Sequence, residues 1–357
     1  MDLFGDLPDP ADAHQKVSAN SNGKEEGKGD APPAKPAATA EKRKADSGSE
    51  STAEEPVKQK GRTDLGLFQL RSYLADRKGE REEMQDAHLQ MDDFSKSLQD
   101  LHPSIGRVAL YAVFDGHGGS RASRFASQYL HKILRDKFPK GDLVSVEKEI
   151  KKCLTDVFKK LDEDFLKEAA KQKPSWKDGT TAVVVLVLNN TLYIANLGDS
   201  KAVLCRHKAE EDKDLAVPLT ADHNPSVYSE RMRIQKAGGN VREGRVMGIL
   251  EVSRSIGDGP YKNHGMSCLP DVKRCQLTSN DRYIMIACDG LWKSFTMDES
   301  IKFVNSVLQE KSIHATDRRS AEEVRFDTAC SRLANTAVLR LSGDNVTVLI
   351  ISIKPGN

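Results

Sequence analysis

The sequence predicts an α+β fold with antiparallel sheets, because strand-like runs and amphipathic helices occupy separate stretches of the chain. Short runs of β-branched or aromatic residues, each bounded by turn residues, predict strands at 108–114, 181–188, 192–195, 283–288 and 346–353. Asn189-Asn190 separates the second and third runs and is typical of a two-residue hairpin turn. Strands joined by so short a turn pair in antiparallel fashion.

Amphipathic helices are predicted at three places, where apolar residues recur every three or four positions. These stretches cover residues 122–134, 150–165 and 329–338, and each gives one apolar helix face. No internal repeat is visible in the sequence.

Composition excludes several classes of protein. The 357 residues include 54 Lys and Arg against 53 Asp and Glu, a net charge of +1, so no nucleic-acid partner is expected. The longest apolar run, 182–188, is far shorter than the ~20 residues that span a bilayer, and the first residues lack a secretion signal, so no membrane association is expected. Six cysteines without a CxxC pair indicate reduced intracellular thiols and no zinc ribbon.

The chain divides into two regions near residue 62. Residues 1–61 contain few large apolar side chains and are predicted to form a disordered tail, whereas residues 62–357 are predicted to form one globular domain. Basic clusters at 42–44 and 58–62 resemble a bipartite nuclear-import signal, although a charged linker explains them equally well. We therefore expect a cytoplasmic protein that also enters the nucleus if the clusters act as a signal.

The strongest local motif is Asp115-Gly116-His117-Gly118-Gly119, which follows a buried strand. A phosphate-binding loop would require Lys-Ser or Lys-Thr after the glycines, and neither is present. A structural turn explains any single glycine but not the whole group. A metal site, with a carboxylate from Asp115 and a backbone carbonyl from Gly116, is the third interpretation.

The metal interpretation requires further carboxylates at strand ends, and the sequence supplies them. Asp289 follows a predicted strand, Asp344 precedes another, Asp199 lies between two, and Asp86 belongs to a polar segment. One such aspartate usually marks a turn, but several in one domain favour a shared site. Oxygen ligands without Cys or His clusters suit Mg²⁺ or Mn²⁺ rather than zinc.

Eight blocks of the sequence, in order, resemble the metal-dependent serine/threonine phosphatases of the protein phosphatase 2C family. The blocks are Arg81-x-x-x-x-Asp86, Phe114-Asp115-Gly116-His117-Gly118-Gly119, Gly179-Thr180-Thr181-Ala182, Asn196-x-Gly198-Asp199-Ser200, Ala237-Gly238-Gly239-x-Val241, Val252-Ser253-Arg254-Ser255-Ile256-Gly257-Asp258, Cys288-Asp289-Gly290-Leu291-Trp292 and Asp344-Asn345. They span roughly residues 68–353. The resemblance implies a β-sandwich of two antiparallel sheets flanked by α-helices, in four αββα layers.

The resemblance also implies a mechanism: two Mn²⁺ or Mg²⁺ ions activate a water that hydrolyses phosphoserine or phosphothreonine in protein substrates. The implied metal ligands are Asp115, Gly116 through its carbonyl, Asp289 and Asp344. Asp86 is implied to act through metal-bound water, Arg81 to hold the phosphate and His117 to serve as the general acid. Residues 1–8, 77–88 and 250–253 further resemble a kinase-associated branch, which implies a kinase partner and a role in kinase signalling.

Two departures from the family pattern leave an alternative open. Gln85 stands where many members have Glu, and Lys293 stands where many have a further Asp, so an optional third metal at Asp199 is in doubt. The alternative is a pseudophosphatase scaffold that binds phosphoproteins or kinases without turnover. Cys268 and Arg274 have the spacing of a cysteine-dependent phosphatase loop, but the residues between them include no glycine. We expect a monomeric enzyme.

Overall fold

A computed structural model of the chain describes residues 66–356. The predicted tail over residues 1–61, with its two basic clusters, lies outside the described residues. Within 66–356, no helix combines the length and the apolar character needed to cross a membrane.

The described chain forms fifteen strands and six α-helices. In order, the strands are β1 (Gln69–Arg77), β2 (Ala87–Met91), β3 (Val108–Phe114), β4 (Gly116–His117), β5 (Gly179–Thr180), β6 (Ala182–Leu188), β7 (Thr191–Leu197), β8 (Lys201–Lys208), β9 (Lys213–Pro218), β10 (Val241–Arg242), β11 (Arg245–Val246), β12 (Ile256–Gly257), β13 (Asp271–Gln276), β14 (Asp281–Ala287) and β15 (Val346–Lys354). The helices are α1 (Arg121–Lys137), α2 (Leu143–Ala170), α3 (Tyr228–Lys236), α4 (Asp289–Trp292), α5 (Met297–Leu308) and α6 (Ala321–Leu339).

Two five-stranded antiparallel sheets form the centre of the fold. The first sheet has the order β1-β15-β14-β8-β9, and the second has the order β13-β7-β6-β3-β2. The predicted hairpin is confirmed: β6 and β7 pair with Leu188 opposite Thr191, and Asn189 adopts a left-handed φ of 53°. Asparagine tolerates that conformation better than most residues do.

The sheets are buried on both faces, which explains why the central strands are continuously apolar. Along β3, Leu110, Ala112 and Phe114 pack towards the helices, while Tyr111 and Val113 pack between the sheets. This alternation follows from the two-residue period of a strand. Helices α1 and α2 cover the second sheet, and α5 and α6 cover the first. The predicted αββα sandwich is therefore confirmed.

The three predicted helices are confirmed as α1, α2 and α6, each longer than its apolar pattern indicated. A fourth, smaller apolar cluster packs outside the sandwich, between α3 and the β10–β11 hairpin, and includes Ile234, Val246, Leu250 and Tyr261. This small unit supplies residues 245 and 249–252 to one wall of the cleft described next.

Candidate active site

Two aspartates meet at one end of the second sheet because they flank neighbouring antiparallel strands. Asp86 immediately precedes β2, and Asp115 immediately follows β3. The two strands pair with Ala87 opposite Phe114, so the start of one lies beside the end of the other. An oxygen of each aspartate and the sulfur of Cys288 lie within 4.8 Å of one another. The two carboxylates are therefore close enough to share an ion.

The first sheet supplies a second pair in the same way. Asp289 follows β14 and Asp344 precedes β15, and these strands pair with Ala287 opposite Val348. Asp199 lies in the β7–β8 connection, where the chain passes from the second sheet to the first. The aspartates that the sequence placed at separate strand ends thus come together at one end of the sandwich.

The predicted site residues all lie in or beside a single cleft. Six of them line it directly: Arg81, Asp115, Gly116, His117, Asp289 and Asp344. Asp86 lies next to Asp115 and is only 8% exposed, with Thr347 Oγ1 donating a 2.7 Å hydrogen bond to its Oδ2. The predicted residues are therefore neighbours, while the role assigned to each stays a prediction.

The glycine after each of two aspartates permits a close approach of another backbone. A Cβ at Gly116 would lie 2.3 Å from the Gln85 carbonyl oxygen, and a Cβ at Gly290 would lie 1.9 Å from the Asn345 carbonyl oxygen. Real Cβ atoms do not approach so closely, so both positions require glycine. These contacts bring the segment before Asp86 against Asp115 and the segment after Asp344 against Asp289.

Burial, and then the crowding of the carboxylates, raises the pKa values of these aspartates. Burial, together with the charges of Asp344 and Asp289, raises the pKa of Asp86 to about 7. Burial and Asp289 likewise raise the pKa of Asp199 to about 7, and burial and Asp289 raise the pKa of Asp115 well above its usual range. Such a buried, all-oxygen, mutually repelling donor set favours a hard divalent cation.

Two basic side chains, Lys293 and Arg81, contact two of these aspartates, Asp289 and Asp344. Lys293 Nζ lies 2.7 Å from Asp289 Oδ2 and 2.6 Å from Asp344 Oδ2, and Arg81 Nη2 lies 2.9 Å from Asp344 Oδ2. Burial alone would lower the pKa of Lys293, but Asp289 and Asp344 outweigh it and raise that pKa. The sequence indicated only that Lys293 puts an optional third metal in doubt, and its pairing with both aspartates is new information from the structure.

His117 is held by a buried carboxylate. Its Nε2 lies 2.7 Å from Asp258 Oδ2, which also accepts a 2.5 Å hydrogen bond from Ser255 Oγ. Burial alone would lower the pKa of His117, but Asp258 reverses the effect and raises that pKa. Asp258 lies in one of the sequence blocks that resemble the family, but the resemblance implied no role for it. Nothing local in the sequence connects Asp258 to His117, which lies 141 positions earlier.

Cys288 is a second neighbour that sequence reasoning missed, because a buried cysteine at a strand end reads as a core residue. Its Sγ accepts a 3.1 Å hydrogen bond from the Thr347 backbone, and burial raises the pKa of its thiol well above the usual range. Carboxylate and carbonyl oxygens suit a hard cation better than a thiol does, so we expect the oxygen atoms to form the donor set.

The rejected cysteine mechanism also fails on geometry. Cys268 does not line the cleft, and burial raises its pKa to about 11, opposite to what a nucleophilic thiolate requires. Arg274 lies in β13 and pairs with Glu147 at 3.3 Å.

Comparisons with known proteins identify the relatives of this chain. The family described as protein phosphatase 2C matches residues 73–346. The integrin-linked kinase-associated serine/threonine phosphatase 2C of Bos taurus is 51% identical over 380 residues, covering 99% of this chain and 100% of the relative. The Homo sapiens protein of the same name is 49% identical over 394 residues, with the same coverage.

Solved structures show the same fold. The serine-threonine phosphatase 2C from Toxoplasma gondii superposes with a TM-score of 0.64 at 19% identity, covering 82% of this chain and 96% of that one. The family match spans most of the described chain, and the relatives match along nearly all of their length. The chain therefore belongs to the protein phosphatase 2C family and is a protein phosphatase, a hydrolase.

Proposed function

We propose that the protein hydrolyses phosphoserine and phosphothreonine in protein substrates by a metal-dependent mechanism with two ions. The observation that carries the proposal is the meeting of Asp86, Asp115, Asp289 and Asp344 in one place beside Arg81 and His117. The names of the relatives, which include serine/threonine phosphatase, support the choice of substrate class.

The donor set fits Mn²⁺ or Mg²⁺, because its atoms are carboxylate and carbonyl oxygens. Asp115, the carbonyl of Gly116, Asp289 and Asp344 would hold the ions, with Asp86 as their buried neighbour. When bound, such ions supply an activated water nucleophile and neutralise charge that develops on the phosphate.

Arg81 is suited to hold the phosphate of the substrate. Its Nη2 is fixed by Asp344, while its side chain remains 39% exposed at the cleft. A guanidinium carries five donors in a planar fork, so donors remain for phosphate oxygens while one bonds Asp344. Arg81 would thus orient the phosphate above the carboxylate group.

His117 is suited to protonate the seryl or threonyl oxygen that leaves. Its bond to Asp258 fixes the ring through Nε2 and favours the protonated imidazole. In that arrangement Nδ1 is the nitrogen left to donate a proton to the leaving oxygen. Asp258 acts through His117 and would be a positioning residue.

Phosphate release from a phosphothreonine peptide tests this function. We expect release with Mn²⁺ or Mg²⁺ and none after EDTA. His117→Gln and Arg81→Ala should lower the rate strongly, whereas Cys268→Ser, outside the cleft, should not change it. Undiminished release in EDTA, or loss of activity in a folded Cys268→Ser variant, would overturn the metal mechanism.

The same assay separates the enzyme from the scaffold alternative. Gln85 and Lys293 are the residues that favour a scaffold, while the retained Asp115, Asp289 and Asp344 favour turnover. A protein that binds the phosphopeptide with metal present but releases no phosphate would support the scaffold.

We further propose that the protein acts as a monomer in kinase signalling, with integrin-linked kinase as a partner, in the cytoplasm and also in the nucleus. The names of the relatives support the partner, and the two basic clusters support nuclear entry. Co-precipitation of purified integrin-linked kinase with the full chain tests the partner, and failure to co-precipitate would remove it.

A further inference from the structure

The ammonium of Lys293 lies between two aspartates that are proposed above to bind a metal ion. Its ammonium lies 2.7 Å from Asp289 Oδ2 and 2.6 Å from Asp344 Oδ2, so a single positive charge bridges two residues proposed above as metal ligands. We propose that Lys293 is a built-in competitor for the divalent cation: it holds Asp289 and Asp344 together when no ion is bound and weakens the binding of the ion. This inference rests on the proposed metal-dependent function.

The backbone places Lys293 for this contact. The Lys293 N–H donates a 2.9 Å hydrogen bond to the Asp289 carbonyl oxygen, which closes the turn of α4. One helical turn brings side chains four positions apart onto the same face, so the ammonium returns to the carboxylate of Asp289. Asp344 approaches from the start of β15, and the ammonium joins the two elements.

The positive charges of the site are unevenly distributed. Asp344 is bonded to both Lys293 and Arg81, and Asp289 is bonded to Lys293. Within residues 66–356, no lysine or arginine forms an ion pair with Asp86 or Asp115. Lys293 therefore offsets the repulsion among carboxylates on the side of the first sheet only.

An ammonium and a divalent cation compete for the same oxygen atoms. An ion that binds between Asp289 and Asp344 must displace Nζ or tolerate a like charge beside it, and either effect lowers the affinity. Displacement is feasible because the Lys293 side chain is 41% exposed and its four-carbon stem is flexible. The protein should thus keep an assembled cleft at low metal concentration and load metal at a higher one.

Calorimetric titration of the purified full-length chain with Mn²⁺ tests the proposal. We expect Lys293→Met to bind Mn²⁺ at least ~10-fold more tightly than the wild type, because a competing charge is removed. In EDTA the same variant should melt at a lower temperature, because the two aspartates then repel each other without a bridge. Lys262→Met is the matched control: Lys262 Nζ pairs with the buried Asp162 at 2.9 Å, and neither residue lines the cleft.

The outcomes separate this inference from the proposed function. Unchanged or weaker Mn²⁺ binding in Lys293→Met would overturn the competitor role, as would an equal gain in Lys262→Met. If Lys293→Met does not fold, Lys293→Gln, which keeps a donor for Asp344 but no charge, must show the same gain. A wild-type chain that binds neither Mn²⁺ nor Mg²⁺ would instead refute the metal-dependent function itself.

Discussion

Asp289 and Asp199 line the same cleft, but their different surroundings lead us to expect different contributions to catalysis. Asp289 pairs with Lys293, which also pairs with Asp344, whereas Asp199 lies in the connection between the sheets near Asp222 and Lys201. We expect Asp289→Asn to raise the Mn²⁺ requirement and lower the saturated rate at least ~10²-fold, a few kcal/mol of barrier. Initial rates across an Mn²⁺ titration separate weakened binding from slower chemistry.

Asp199→Asn is the matched control for that experiment, because it removes the same charge from the same cleft. The Asp199→Asn variant should lose much less activity than Asp289→Asn, since Asp199 would serve only an optional third ion. Equal losses in the two variants would mean that Asp199 belongs to the essential metal group and that two ions do not describe the site.

The buried carboxylate of Glu230 affects the stability of the fold at low pH. It is 3% exposed, and although burial alone would raise its pKa, hydrogen bonds from Arg254, Ser253 and Arg233 lower it to about 2. Because the pKa is depressed in the folded protein, the ionised carboxylate stabilises the fold at pH values above its ordinary pKa of 4.5. That contribution, about 3 kcal/mol, is lost as pH falls from about 5 to about 2.

Unfolding of wild type and Glu230→Gln measured across this range checks the sign. The difference in free energy of unfolding should be largest above pH 5 and should shrink towards pH 2. Glu299→Gln is the control: a hydrogen bond from the Thr296 backbone lowers the pKa of Glu299, but that carboxylate is exposed and screened by solvent. A difference that stays constant with pH would contradict the assignment.

At the scale of elements, the α4 turn must lie against the segment that precedes β15. The absence of a side chain at Gly290 permits this, so Gly290→Ala should push the Asn345 backbone away and separate Asp289 from Asp344. We expect Mn²⁺ affinity to fall at least ~10-fold and the free energy of unfolding to fall by about 1–3 kcal/mol. Calorimetry and chemical denaturation measure the two effects.

Gly66→Ala supplies the comparison, because a Cβ there meets nothing within 4 Å. It should leave both quantities almost unchanged. Normal metal binding in Gly290→Ala would show that the close approach is a packing detail without influence on the site.

Several elements with a single dominant periodicity could be predicted from the sequence, whereas the helices α3 and α5 were not predicted. The strand β3 matches its predicted bounds, because both of its faces are buried and the apolar run is continuous. The helix α3 was missed because it buries Glu230 beside Ile234 while exposing Tyr228 and Met232, the reverse of an ordinary amphipathic pattern. The helix α5 carried a usable signal, the capping box of Thr296 and Glu299, that was overlooked.

The positions of most candidate site residues could be predicted, because Asp115, Asp289 and Asp344 each occur beside a glycine at a strand end, while their roles stay predictions. The resemblance supplied roles, and the sheet pairing explains why residues 86 and 115, or 289 and 344, become neighbours. The bonds of Lys293 to two aspartates and of Asp258 to His117 could not be predicted, because both depend on tertiary approach across many residues.

At the scale of the whole molecule, the candidate site lies entirely within residues 66–356. Deleting residues 1–61 should therefore leave kcat/KM on small phosphopeptides nearly unchanged, because no predicted site residue is removed. If the basic clusters at 42–44 and 58–62 import the protein, the same deletion should shift a tagged protein from nucleus to cytoplasm. Peptide kinetics and fluorescence imaging check the two expectations.

A large fall in peptide turnover would mean that the tail contributes to the catalytic domain. An unchanged nuclear fraction would remove the import function of the clusters. Alanine substitution of only the basic residues of both clusters is the control, because it keeps the length of the tail.

Each of the two sheets supplies two of the four aspartates to the candidate site. Asp86 and Asp115 flank strands of one sheet, and Asp289 and Asp344 flank strands of the other, so an ion bound among them would cross-link the two halves of the core. Ion binding and sheet packing would then be thermodynamically linked, so that a change that loosens the apolar layer between the sheets would also lower the affinity for the ion. The hydrophobic core would act, at a distance, as part of the metal-binding machinery.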